Sequence, residues 1–167
     1  MDMEAQQHVR RQYVVFRVAE EKYGIPIEQV QEVIKSVDIT RLPQMPSSIK
    51  GIIQLRERVI PIMSLRSHFG QNETEPEDRR IVIVNFSGAF IGLEVDSVDE
   101  VLEIPAENID HLAASLSGAQ RHYVDGIGKI DDELIILLKL DHLLEGSERT
   151  ELDEAIASLD TAETAEE

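Results

Sequence analysis

The sequence predicts a mainly β fold in which two related small barrels share one core. Two observations carry this. The aliphatic runs are short, rich in Val and Ile, and bounded by turn residues, the pattern of strands rather than helices. The chain also repeats itself. Shifted by 68, Tyr13–Ile34 lies over Ile81–Leu102 without a gap, so that Gly24 meets Gly92, Val30 meets Val98, Glu32 meets Glu100 and Val33 meets Val101. Shifted by 75, Ile49–Phe69 lies over Val124–Leu144, with Gly51 on Gly126, Ile60 on Ile135 and Leu65 on Leu140. Half of such a chain holds too few strands to bury a core unless they curl into a barrel or share one.

In chain order, residues 1–11 read as a flexible polar arm and residues 12–144 as one domain of two duplicated barrel halves. Strands are expected at Tyr13–Val18, Lys22–Pro26, Ile39–Leu42, Ile49–Leu55 and Val59–Met63. The second half supplies Ile81–Phe86, Phe90–Val95, Tyr123–Ile130 and Leu134–Leu138. Turns fall near Glu20–Glu21, Arg56–Glu57, Ser87–Gly88 and Asp131–Asp132. Ile27, Val30, Val33 and Ile34 recur at helical spacing and predict a short helix, as do Leu140, Leu143 and Leu144 before Gly146. Gln71 to Asp78 is a polar, acidic connection between the halves. Residues 145–167 form an acidic end, where Leu152, Ile156 and Leu159 suggest an amphipathic helix.

Composition narrows function by exclusion. The net charge of −17 argues against nucleic acid and anionic lipid, which bind basic footprints. Without cysteine there is no disulfide, thiolate metal site or cysteine nucleophile. No apolar run approaches the ~18 residues of a membrane span, so a cytoplasmic protein without membrane insertion is expected. His8, His68, His111, His122 and His142 form no ligand motif, and His68 and His142 are expected at the surface. Neither a nucleophile elbow nor a Gly-rich phosphate loop is present. No catalytic residue, metal site or cofactor is therefore assigned. Gly126-Ile127-Gly128 reads as a bulge or close backbone approach.

Five segments, in order, resemble the CheW family of chemotaxis adaptors. Tyr23-Gly24-Ile25-Pro26-Ile27 with Val30-Gln31-Glu32-Val33-Ile34 is similar to its YGI segment. Lys50-Gly51-Ile52-Ile53-Gln54-Leu55-Arg56-Glu57 resembles its KGVxNLRG hairpin. Val59-Ile60-Pro61-Ile62 with Leu65-Arg66 resembles its VIPVxDLR strand. Val95-Asp96-Ser97-Val98-Asp99-Glu100-Val101 and Leu134-Ile135-Ile136-Leu137 complete the series. The resemblance implies two five-stranded SH3-like barrels. It also implies a scaffold that couples the cytoplasmic tips of chemoreceptors to the regulatory domain of the histidine kinase CheA, in a membrane-associated array. By position, Val30, Glu32, Val33 and Arg56 would contact the receptor, and Gly51, Ile52 and Arg58 the kinase. Departures are Gln54 for Asn, Glu57 for Gly, Ser64 for an acid, and Asp110–Ser115, which lacks the Pro- and Phe-bearing pattern of a second kinase-contact loop.

Alternatives accompany these assignments. Val30 and Val33 fit either core or contact surface. Arg56, Arg58 and Arg66 overlie Asp131, Glu133 and Asp141 under the shift of 75, a charge inversion that fits either a partner-binding role or surface variation. Glu32 and Glu100 read as solvated equivalents rather than an acid–base pair. The rival functions are an adaptor of a pilus or developmental array, and a small β-barrel enzyme, which would need convergent buried titratable groups.

Overall fold

A computed structural model describes residues 10–44, 49–72, 74, 76–86, 88–111 and 123–143. The first repeat contains β1 (Arg10–Val18), β2 (Glu21–Pro26), β3 (Val30–Lys35), β4 (Ile49–Leu55), β5 (Arg58–Ser64) and the one-turn α1 (Leu65–His68). The second contains β6 (Arg80–Phe86), β7 (Ala89–Val95), β8 (Ser97–Pro105), β9 (Ile109–Asp110), β10 (Val124–Ile130), β11 (Glu133–Leu138) and α2 (Leu140–Leu143). Single 310 turns at Ile27–Gln29 and Ala106–Asn108 precede β3 and β9. β1 starts inside the expected N-terminal arm. The expected C-terminal helix and tail, and Leu112–Ser115, lie outside the described residues.

The strands form a sheet of order β8-β1-β2-β11-β10-β9 and another of order β3-β6-β7-β5-β4. Each curls closed through chain continuity. β8 runs through its 310 turn into β9, which pairs with β10 on the far side of the sheet. In the other sheet the chain after β3 returns to β4 through a Thr40–Ile52 bridge. Counting β8 and β9 as one bent strand, each barrel has the five strands expected.

The barrels do not coincide with the repeats: strands are exchanged. β1 and β2 of the first repeat complete the second repeat's barrel, and β6 and β7 complete the first's. The exchange follows the sequence offsets. Parallel pairing sets Ile62 against Gly92 in one barrel and Leu137 against Gly24 in the other, positions related by 75 and by 68. Glycine serves this seam because a Cβ at Gly92 would lie 2.5 Å from Ile62 Cδ1 and 2.8 Å from Ile81 Cγ2.

Both faces of β1 and β6 are buried in their middles, which is why the apolar runs Tyr13–Phe16 and Ile81–Val84 are continuous. On β1, Tyr13 and Val15 fill one barrel with Ile104, Ile135 and Leu137, while Phe16 and Val18 face the seam between barrels. On β6, Ile81 and Ile83 fill the other barrel with Ile53, Ile60 and Ile62, while Val82 and Val84 face the seam. Ile60 and Ile135 are the buried equivalents expected, at 1% and 0% exposure.

The structure corrects several elements. The helix expected through Val30, Val33 and Ile34 is a strand, because only the 310 turn at Ile27–Gln29 is helical. β-branched side chains pack better on a pleated strand, and pairing with β6 outweighs the helical spacing. Ile39–Leu42 reduces to the Thr40 bridge. β8 and β9 are additional strands, and Tyr123 lies outside β10. The glycine pair in β10 is both bulge and close approach: the register shifts between Val124 and Gly126, and a Gly126 Cβ would meet the Asp110 carbonyl oxygen. His68 and His142 are half-buried rather than exposed.

Candidate interaction surfaces

The hairpin between β4 and β5 turns on Arg56 and Glu57, both at positive φ (53° and 80°). Two such residues make the type I′ turn, whose twist matches that of the strands it joins. The counterpart between β10 and β11 uses Asp131 and Asp132 at 49° and 67°. From its turn Arg56 reaches across the barrel to an ion pair with Glu32 on β3. Two residues assigned to the receptor surface, 24 positions apart in sequence, are thus one unit.

Val30 and Val33 part company. β3 alternates half-buried and exposed, so Val30, Glu32 and Ile34 face one way and Gln31, Val33 and Lys35 the other. Val30 packs on the core between the barrels, whereas Val33 is 39% exposed. The equivalent Val101 on β8 is also exposed, at 48%.

The residues assigned to the kinase do not form one patch. Gly51 and Ile52 close the first barrel. Ile52 exchanges both backbone hydrogen bonds with Thr40, its N–H donating at 2.8 Å and its carbonyl accepting at 2.9 Å. Gly51, at φ 154°, lies so close that a Cβ would overlap the Thr40 carbonyl. Arg58 is at the other end of the hairpin, beside the turn, with its guanidinium 4.2 Å above the Phe90 ring.

The charge inversion has a structural account at one of its three positions. Shifting Arg58 and Phe90 by the two offsets gives Glu133 and Lys22, which form an ion pair. That hydrogen bond, first among the causes, raises the Lys22 pKa. A cation–ring contact in one barrel is a charge pair in the other, a correspondence legible only when both offsets are applied together. Arg66 grips Asp96 in a two-pronged pair, Nε to Oδ1 at 2.8 Å and Nη2 to Oδ2 at 2.7 Å. Asp96 also accepts the Ala19 N–H, so Arg66 joins the repeats. Ser64, standing for the family's acid, caps α1 by accepting the Ser67 N–H. The other two positions differ. Arg66–Asp96 corresponds to Asp141 and Glu28, and Arg56–Glu32 to Asp131 and Glu100, two acids each.

Sequence reasoning missed two internal features. Lys50 Nζ donates to Glu94 Oε1 at 2.7 Å within the first barrel's end. Where the barrels meet, Tyr23 stacks on Phe16 and Phe69, and Phe69 stacks on Tyr123, with His68 against both Phe69 and Tyr123. Burial, then the nearby Glu21, pushes the Tyr23 hydroxyl up to about 12. A cavity of about 370 Å³ opens at the mouth of the other barrel beside Arg11, Tyr13, Ile104, His111 and Asp125. Its His111 Nδ1 lies 3.0 Å from the Asp125 backbone carbonyl rather than a carboxylate, so no acid–base pair is assembled. Among the described residues no three His, Asp or Glu side chains are grouped to hold a metal, and no helix is long and apolar enough to cross a membrane.

Residues 12–148 match the family model described as a CheW-like domain. The chain belongs to this CheW family. It is 32% identical to the chemotaxis protein CheW of Klebsiella aerogenes over 151 residues, 90% of this chain and 91% of that protein. It is 30% identical to protein FrzA of Myxococcus xanthus over 145 residues, 84% of this chain and 89% of that one. The crystal structure of the scaffolding protein TtCheW from Thermoanaerobacter tengcongensis superposes with a TM-score of 0.77 at 40% identity, covering 84% of this chain and 96% of that one. CheW-family members are scaffolding adaptors and not enzymes, and this chain is one of them.

Proposed function

We propose that this CheW-family chain couples the cytoplasmic tips of chemoreceptors to the regulatory domain of the histidine kinase CheA, as a cytoplasmic component recruited to a membrane-associated array. The observation that carries this reading is the Glu32–Arg56 pair, which makes one surface from β3 and the β4–β5 turn. The receptor tip would meet Glu32, Arg56 and the edge of Val30, with Val33 on the outer face of the same strand. Because β3 is a strand, the receptor contact is a helix against a barrel edge rather than a helix against a helix. The kinase would meet the first barrel at the Gly51–Ile52 closure and at Arg58. No chemical step is needed; the adaptor acts by favouring one arrangement of its partners.

The test measures binding of the purified chain to a receptor tip and to a CheA regulatory domain. Glu32→Lys should weaken the receptor complex more than the kinase complex and leave the fold intact. Arg58→Glu should slow kinase association and reduce its salt dependence. If Glu32→Lys leaves receptor affinity unchanged while kinase affinity collapses, the two faces are assigned the wrong way round. A wild-type chain that binds neither partner refutes the coupling role. An array with another output, such as a pilus or developmental system, is supported by similarity to a relative not named for chemotaxis; it is favoured if only non-chemotaxis receptor tips bind.

A further inference from the structure

We infer that the two repeats are exchangeable between chains, so that a second copy of this chain is a partner. The β1–α1 unit of one copy would then pair with the β6–α2 unit of another. Neither repeat owns a barrel. Four strand seams, β1 with β8, β3 with β6, β2 with β11 and β5 with β7, all run between repeats. Within a repeat, the strands pair only as hairpins or, for β9, with β10. Each repeat therefore presents open strand edges and an unfilled apolar face whose complement is the other repeat, whichever chain supplies it.

The repeats are joined once, through the polar stretch from Phe69 to Arg79. Phe69 is anchored by its stacks on Tyr23 and Tyr123. Beyond it Gly70, Gln71, Asn72, Thr74, Glu77 and Asp78 are exposed. Up to Asp78 the bonds here are local, from Gln71 N to Arg66 O, from Arg66 Nη1 to Asn72 O and from Arg79 N to Pro76 O; Arg79 O accepts from Ser36 N, where the β3–β6 seam begins. Opening this connection changes none of the four seams, and exchange recreates every one of them between copies. A linker of this length gives the internal pairing an effective concentration on the order of millimolar. The closed monomer therefore dominates in dilute solution, and exchange competes when chains fold at comparable concentration. The exchanged dimer would carry two Glu32–Arg56 surfaces.

The absence of cysteine makes the test clean. Lys35 and Arg80 face each other across the β3–β6 seam. A Lys35→Cys chain and an Arg80→Cys chain, unfolded together and refolded at millimolar concentration, should give an inter-chain disulfide in a species of twice the 18.8 kDa chain mass. The same folded chains mixed at micromolar concentration should give neither. The double variant, refolded dilute, is the control: its disulfide should close within the monomer. Light scattering of co-refolded wild-type chains gives an independent reading. A chain that stays at 18.8 kDa by scattering at every refolding concentration overturns the inference. So does a dimer without the inter-chain disulfide when the control closes, because such a dimer meets through its outer surface.

Discussion

Glu57 occupies the second position of the β4–β5 turn at φ 80°, on an exposed tip. For an L-residue with a Cβ, left-handed backbone costs about 1–2 kcal/mol, from crowding against the following carbonyl. Glycine removes that crowding but brings more freedom to the unfolded chain, which takes back about 0.4–1 kcal/mol. Glu57→Gly should therefore stabilise the protein by about 0.5–1 kcal/mol, or about 1–4 °C in Tm for a domain of this size. The duplicated turn is an internal control. Asp132→Gly should gain less, since Asp tolerates this conformation better than Glu. Glu57→Ala keeps the Cβ and should gain nothing. Thermal unfolding followed by circular dichroism, with urea midpoints as a second measure, resolves these differences. A Tm for Glu57→Gly at or below wild type would show that the positive φ carries no strain and refute the reasoning.

Three further outcomes follow from the core and the seam. Ile60→Asp and Ile135→Asp should each abolish the cooperative thermal transition, because an unpaired buried charge costs several kcal/mol, comparable to total stability; wild-type Tm values in both would contradict the duplicated barrels. Gly92→Ala should cost about 1–3 kcal/mol by overpacking, and more than Gly24→Ala, whose Cβ would lie 3.1 Å from Leu137 Cδ2 rather than 2.5 Å from Ile62 Cδ1; urea midpoints in the reverse order would contradict the seam geometry. Tyr23 is raised from 10 to about 12 by burial, so its neutral form is favoured in the folded state. That contribution is complete below pH 10 and is lost as pH rises from 10 through 12. Alkaline unfolding should track this window, and Tyr23→Phe should flatten it; an unchanged alkaline limb would remove Tyr23 as the cause.

The sequence by itself determined eight of the eleven described strands, the turns at Arg56–Glu57 and Asp131–Asp132, and the duplication, because short β-branched runs and turn residues are local signals that tertiary packing did not override there. Ile60 and Ile135 were legible as core for the same reason. Segment order along the chain was enough to place it in its family. Val30–Lys35 was not legible, since its apolar spacing fits a helix and only pairing with β6 makes it a strand. The exchange of strands was invisible in either repeat, because a hairpin has the same pattern whichever barrel it joins. Tertiary structure alone decided that Val30 packs inward while Val33 faces out, that Arg56 meets Glu32 across the barrel, and that Gly51 and Arg58 stand at opposite ends of one hairpin. Those relations depend on register and closure, which bring together residues that no sequence window contains.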